Sequence, residues 1–170
     1  MRSITMVTGL SLLALSTAGY AAPRNKTANE IPPQFWGTWY EDNVDGRSFC
    51  DAYKKEILTI HKDEFPLALD TSSVVSPKLI HDVASYGEGN FYHIKTVKNS
   101  GRNKIEVTST VTYDGSEDFE GRAAMTLQQM PGNKLKITKV VDTIKSESSL
   151  YFRCGPIPKF YANRIHSEQD

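Results

Sequence analysis

Lys104–Tyr113 reads KIEVTSTVTY, with Ile105, Val107, Val111 and Tyr113 on one parity and Glu106, Thr108, Thr110 and Thr112 on the other. A period of two sustained over such a run predicts a strand that buries one face and wets the other. The neighbouring segments repeat the pattern. Leu135–Val141 alternates likewise, and Pro131-Gly132-Asn133-Lys134 before it is turn chemistry, so Ala123–Gln129 and Leu135–Val141 read as a hairpin. Asn99–Asn103 predicts a second hairpin, joining NFYHIKTVK, which starts at Asn90, to Lys104–Tyr113. Asp114–Asp118 predicts a third, leading into FEGRAAMTLQQM. Upstream, Glu56–Ile60 and Phe65–Leu69 flank the turn-like His61–Glu64 and read as another strand pair. Trp36–Glu41 opens the series and Ser148–Cys154 closes it.

Helical candidates are short: Arg47–Lys54 and something in the tail after Pro158. Eight or nine strands joined by tight turns form an antiparallel meander, and closing it into an up-and-down barrel removes the exposed sheet edges. A two-sheet sandwich is the alternative, but its crossed connections are longer than these turns. The expected class is therefore all-β, a meander barrel.

The N-terminus calls for a separate reading. Met1-Arg2 is a short positive start, Met6–Leu15 an apolar run, and Ser16–Ala22 a small-residue stretch, the layout of a secretory signal cut after Ala21. The expected organisation is a signal over 1–21, a leader over 22–31, a barrel over 32–158 and a tail over 159–170. About 149 residues then remain, enough for one domain with a proper core. The 20 basic and 20 acidic residues balance. They form no block of like charge, which argues against a nucleic-acid groove or a membrane-seeking basic face. No second apolar segment is long enough to span a bilayer. Periplasmic or secreted localisation, as a monomer, is expected.

Cys50 and Cys154 are the only cysteines. In an exported chain an even count favours a bridge. Two free thiols or a metal pair are the alternatives, and no Cys-x-x-Cys spacing marks a redox site. Closing a span of roughly a hundred residues would contribute about 4–5 kcal/mol in the loop-entropy model.

Gly37-Thr38-Trp39-Tyr40 on the first strand of such a barrel is similar to the opening of lipocalins, avidins and their relatives, which carry Gly-x-Trp there. The chain also resembles a class of small exported bacterial barrel proteins, through Trp36-Gly37-Thr38-Trp39, Cys50, Gly87-Glu88-Gly89 and Tyr151-Phe152-Arg153-Cys154. The resemblance implies a calycin-type barrel in which Arg153, near the end of the last strand, packs across Trp39. Gly37, Trp39 and Arg153 are thus expected to form a structural closure, with Gly37 leaving room for a bulky neighbour. The avidin-type ligand residues have no counterpart in Glu41–Gly46, so no biotin site is implied.

Signs of catalysis are sparse. His61, His81, His93 and His166 lack metal-ligand spacing. No Gly-x-Ser-x-Gly elbow or phosphate-cradling loop occurs. Gly87-Glu88-Gly89 reads as a turn, and Glu117, Asp118 and Glu120 as a solvated hairpin. Asn25-Lys26-Thr27 matches a glycosylation sequon in the leader. A non-enzymatic role without metal or cofactor is expected. The first reading is a lipocalin-like barrel that holds a small apolar ligand, with Tyr40, Phe91, Tyr92, Tyr113 and Met125 as candidate lining residues. The alternative is a periplasmic inhibitor or immunity protein that blocks an envelope hydrolase or toxin through its acidic tips, Asp42–Gly46 and Asp114–Asp118. A lumen cavity of about 300 Å³ or more separates the two.

Overall fold

The computed structural model describes residues 28–60, 64–113, 116–142, 146–159 and 161, with the backbone alone for 116–120. The expected signal, the sequon, His61, His166, and Asp114 and Gly115 of the acidic tip lie outside the described residues, as do the side chains of Glu117, Asp118 and Glu120, residues 22–27 of the leader and nearly all of the tail. Eight antiparallel strands close into a barrel in chain order. They are β1 (Gly37–Glu41), β2 (Ser72–Val75), β3 (Leu79–Val83), β4 (Gly89–Gly101), β5 (Lys104–Tyr113), β6 (Ser116–Met130), β7 (Lys134–Val141) and β8 (Glu147–Gly155). Each strand bonds to the next, and β8 returns to β1. The meander barrel expected from the alternation is the fold.

Period two divides the side chains between two cores. Trp39, Ile80, Tyr92, Ile105, Val107, Val111, Met125, Leu127, Leu135 and Ile137 fill the lumen. Ile31 and Phe35, from the segment before β1, are buried with them. The Trp36 indole donates to the Ile31 carbonyl at 2.7 Å, and Gln129 Nε2 donates to the Gln34 carbonyl at 2.7 Å. This segment therefore seals the end of the barrel where β1 begins. The opposite end is the mouth, where β1, β3, β5 and β7 end and β2, β4, β6 and β8 begin.

A second core lies outside the wall. Helix α1 (Val44–Glu56) packs there, and Tyr40, Cys50, Tyr53, Leu69, Val74 and Val83 form one cluster with half-buried Phe152, Cys154 and Ile157. The helix is longer than the Arg47–Lys54 read from sequence. Its start is set by Asn43, whose side chain accepts from the Gly46 N–H at 2.7 Å. Asp45 in the first turn and Lys54 and Lys55 in the last suit the helix dipole. Gly46, a poor helix former, is there for space. A Cβ at that position would lie 2.1 Å from the Glu41 carbonyl oxygen. Gly46→Ala should therefore cost roughly 1–3 kcal/mol by overpacking, despite the better helix propensity of alanine. Chemical denaturation measures it, and a variant more stable than wild type would remove the close approach.

Two expected strands are absent. Glu56 ends α1, and Ile57–Ile60 is turn. Leu67–Leu69 is a single 3-10 turn, held by Glu56, whose carboxylate accepts from the Leu67 and Ala68 N–H groups at 2.9 and 2.8 Å. Of the apolar residues that suggested strands, Leu58 and Leu67 are exposed at 83% and 57%, whereas Leu69 is buried in the outer core. Their place in the sheet is taken by β2 and β3. The acidic tip Asp42–Gly46 is corrected too. Asp42 pairs with Arg47 and, at 2.5 Å, with Lys134, and Val44–Gly46 is helix. Hydrogen bonding to Lys134, and the charges of Lys134 and Arg47, hold the Asp42 carboxyl below its usual range.

Cys50 and Cys154 form a disulfide with Cα atoms 5.7 Å apart. Because Cys50 lies on α1 and Cys154 on β8, the bridge staples the helix to the wall. The first and last strands are joined by their own ladder, which pairs Trp39 with Arg153 and Tyr40 with Phe152. Replacing both cysteines by alanine should cost about 2–5 kcal/mol and lower Tm while the barrel still folds. Circular dichroism melts of the two forms compare this directly, and equal Tm values would refute a stabilising bridge.

Candidate functional site

The residues at the mouth end of the strands break the apolar pattern of the lumen below. On β3, Asp82 follows Ile80 on the same parity. On β7, Lys139 follows Leu135 and Ile137, and on β8 Tyr151 is preceded by Ser149 and Glu147. Together they line a cavity of about 380 Å³. Tyr92 and Asn90 of β4, Tyr113 of β5, Val141 of β7 and Glu41 at the end of β1 are also part of the wall.

Asp82 is the polar centre of this cavity. Lys139 Nζ forms an ion pair with its Oδ2, and Ser73 Oγ donates to its Oδ1 at 2.9 Å. The Lys139 ammonium also lies 5.3 Å from the centroid of the Tyr92 ring. Both charged side chains are well shielded, Lys139 at 14% and Asp82 at 25% exposure. Shielding raises the cost of separating them, because the unpaired charge would stay behind in a poor solvent.

The tyrosines remain neutral. Burial raises the Tyr92 hydroxyl above its ordinary value near 10, and the negative charge of Asp82 and a hydrogen bond to it act in the same direction. Tyr151 is raised first by burial and then by the charges of Asp82 and Glu41. Tyr113 is raised by burial and by Asp142. Each is therefore a hydrogen-bond donor and a flat apolar surface over the whole physiological pH range.

The five candidate lining residues separate by strand parity. Tyr92 and Tyr113 line the cavity, and Met125 is buried in the apolar lumen beneath it. Tyr40 belongs to the outer core, where its hydroxyl donates to the Ala68 carbonyl at 2.6 Å. Phe91 stacks on His81 with ring centroids 3.8 Å apart, also outside. His81 meets Tyr161 at 2.5 Å and the Glu88 carbonyl at 3.0 Å, a packed structural role. Asp82, Lys139 and Tyr151 were not among the candidates. Tyr151 is two residues from Arg153 and so shares its face, a signal present in the sequence. The meeting of Asp82 with Lys139 depends on register across the barrel and leaves no local trace.

Gly37, Trp39 and Arg153 meet at the sealed end. Trp39 is 1% exposed, and its indole donates to the Phe35 carbonyl at 3.0 Å. Arg153 Cζ lies 5.9 Å from the Trp39 ring. At that distance, with Arg153 itself exposed, the cation–π contribution is at the weak end, about 0.5 kcal/mol. Gly37 has a positive φ of 146°, and a Cβ there would come within 2.8 Å of the Gly155 carbonyl oxygen and 2.9 Å of Arg153 Nε. These residues hold the seam between β1 and β8 and do not touch the mouth cavity.

A larger depression, about 620 Å³, runs along the outer wall past Thr108, Ala124 and Val140. Lys95, Arg122 and Asp142 also border it, and it lies on the wall outside the lumen. Among the described residues no group of His, Cys, Asp and Glu is arranged to hold a metal ion, and no helix is long and apolar enough to cross a membrane. No protein-family model, curated protein or solved structure matches the chain.

Proposed function

We propose that this is an exported, non-enzymatic binding protein of lipocalin-like architecture that takes a small molecule into the mouth of its barrel. The supporting observation is the 380 Å³ cavity at the unsealed end, lined by a shielded ion pair and three tyrosines. Ligand sites are typically concave, mostly pre-formed and furnished with a few converging polar groups, and their volumes start near 300 Å³. A lumen packed to its rim by apolar chains would have offered no such space.

The lining changes the ligand expected from sequence. Covering Asp82 and Lys139 with a wholly apolar molecule would remove water from both charges without replacing its hydrogen bonds. A ligand with an apolar body and at least one polar group suits the wall better. The tyrosines and Val141 would hold the body, and the Asp82–Lys139 pair would meet the polar group.

Native mass spectrometry of the protein purified gently from its own source tests the reading. A small-molecule adduct, lost when Tyr92 is replaced by a bulkier tryptophan, is the expected result. A co-purifying hydrolase or toxin with an empty barrel would favour the inhibitor reading instead.

A further inference from the structure

We propose that the ligand is a small organic cation, a protonated amine on an aromatic or apolar body, and that Lys139 occupies the ammonium subsite until the ligand displaces it. The inference rests on the mouth being a ligand site.

Charge is the first argument. Among the described residues lining the cavity, Glu41, Asp82 and Glu147 face a single basic group, Lys139. Once the ion pair is counted as neutral, two carboxylates remain at the rim. A low-dielectric wall focuses their field into the opening and concentrates cations there.

The second argument is the position of the Lys139 ammonium itself. It sits against the Asp82 carboxylate and over the face of Tyr92. A carboxylate beside an aromatic face is a complete set of contacts for an ammonium: one counter-ion and one ring quadrupole. The protein thus displays the recognition chemistry with its own side chain as occupant. A lysine ammonium rides on a flexible four-carbon stem with three rotatable donors, so it can leave and be replaced by an equivalent group. The ligand's apolar body would then lie against Tyr151 and Tyr113, both of which line the same cavity.

An anionic ligand is the opposite assignment, with Lys139 as its counter-ion. It would have to break the Asp82–Lys139 pair, leave the shielded Asp82 carboxylate with Ser73 but no counter-ion, and pass two further carboxylates on entry. Each step opposes binding. A cation breaks the same pair but replaces the counter-ion of Asp82, and the freed Lys139 has Glu147 opposite it on the β7–β8 ladder.

The test is calorimetric titration at neutral pH and low salt with three probes of similar shape: phenethylamine, 3-phenylpropionate and 2-phenylethanol. Phenethylamine alone should bind, and its affinity should fall as salt is added. Lys139→Met removes the internal competitor and should tighten phenethylamine by about tenfold or more, the scale of one charge-assisted contact. Glu147→Gln, at an exposed rim position, should weaken it several-fold and serves if the Lys139 variant fails to fold. Binding of 3-phenylpropionate that is lost in Lys139→Met, or of 2-phenylethanol as tight as the amine, would overturn the cation assignment and leave the mouth standing as a ligand site. Failure of all three probes with both wild type and Lys139→Met would overturn both readings.

Discussion

Trp39→Ala is expected to remove about 3–5 kcal/mol of stability, the range for deleting a buried aromatic side chain. The ring is almost wholly excluded from water and lies among the residues that fill the sealed end. Its indole N–H satisfies the Phe35 carbonyl, so truncation also leaves that buried acceptor without its donor. Arg153 then loses its stacking surface, a small further cost. Trp39→Phe keeps most of the volume and loses the hydrogen bond, and should fall well short of the alanine variant. Guanidinium denaturation of the three proteins measures the series. A Trp39→Ala protein within 1 kcal/mol of wild type (~1 kcal/mol being an ordinary point-mutant effect) would mean that the seam is held elsewhere.

Alkaline pH should destabilise the protein steeply. Tyr40, Tyr92 and Tyr151 are buried, and burial raises each hydroxyl well above its ordinary value of 10.0. The unfolded chain loses those protons near pH 10, while the folded chain keeps them to higher pH. Above pH 10 the unfolded state therefore binds fewer protons, and stability falls as pH rises until the folded values are reached. Below pH 10 both states are protonated and the three groups contribute no pH dependence. Three such groups lower stability by at most about 4 kcal/mol per pH unit in that window, since one pKa unit is worth about 1.4 kcal/mol. Two units consume most of the stability of an ordinary domain. Tyrosinate absorbance and far-ultraviolet circular dichroism, followed together, should show these three tyrosines ionising only as the barrel unfolds. Complete ionisation with an unchanged dichroism spectrum would place them in water.

The strands that announced the fold are those with one wet face. From β4 to β7 the outer wall meets solvent over most of its length, so the sequence alternates and its turns are marked by glycine and asparagine. Strand β2 was invisible because α1 and the outer core cover its second face. Ser72–Val75 is buried throughout and has no alternation to read. Helix α1 begins at Val44, three residues before the expected Arg47, with Gly46 in its first turn where the Glu41 carbonyl leaves no room for a Cβ.

The candidate site was half legible for a related reason. Once Trp39 is placed inside, Tyr40 must point outward, and adjacent Phe91 and Tyr92 cannot share a face. Parity therefore selects Tyr92 and Tyr151 and discards Tyr40 and Phe91. What parity cannot supply is depth along the barrel, the coordinate that brings Asp82 beside Lys139 and makes the mouth polar above an apolar lumen.

Amide chemical-shift mapping by NMR, with a protein-free small-molecule extract of the source cells as titrant, tests the mouth most directly. If the mouth is the ligand site, the perturbed amides will cluster at Asn90, Tyr92, Tyr113, Lys139 and Tyr151, while the helix and outer wall stay quiet. Perturbations confined to α1 or the outer wall, or a response only to the protein fraction of the same extract, would show that the barrel works through its surface and not its mouth.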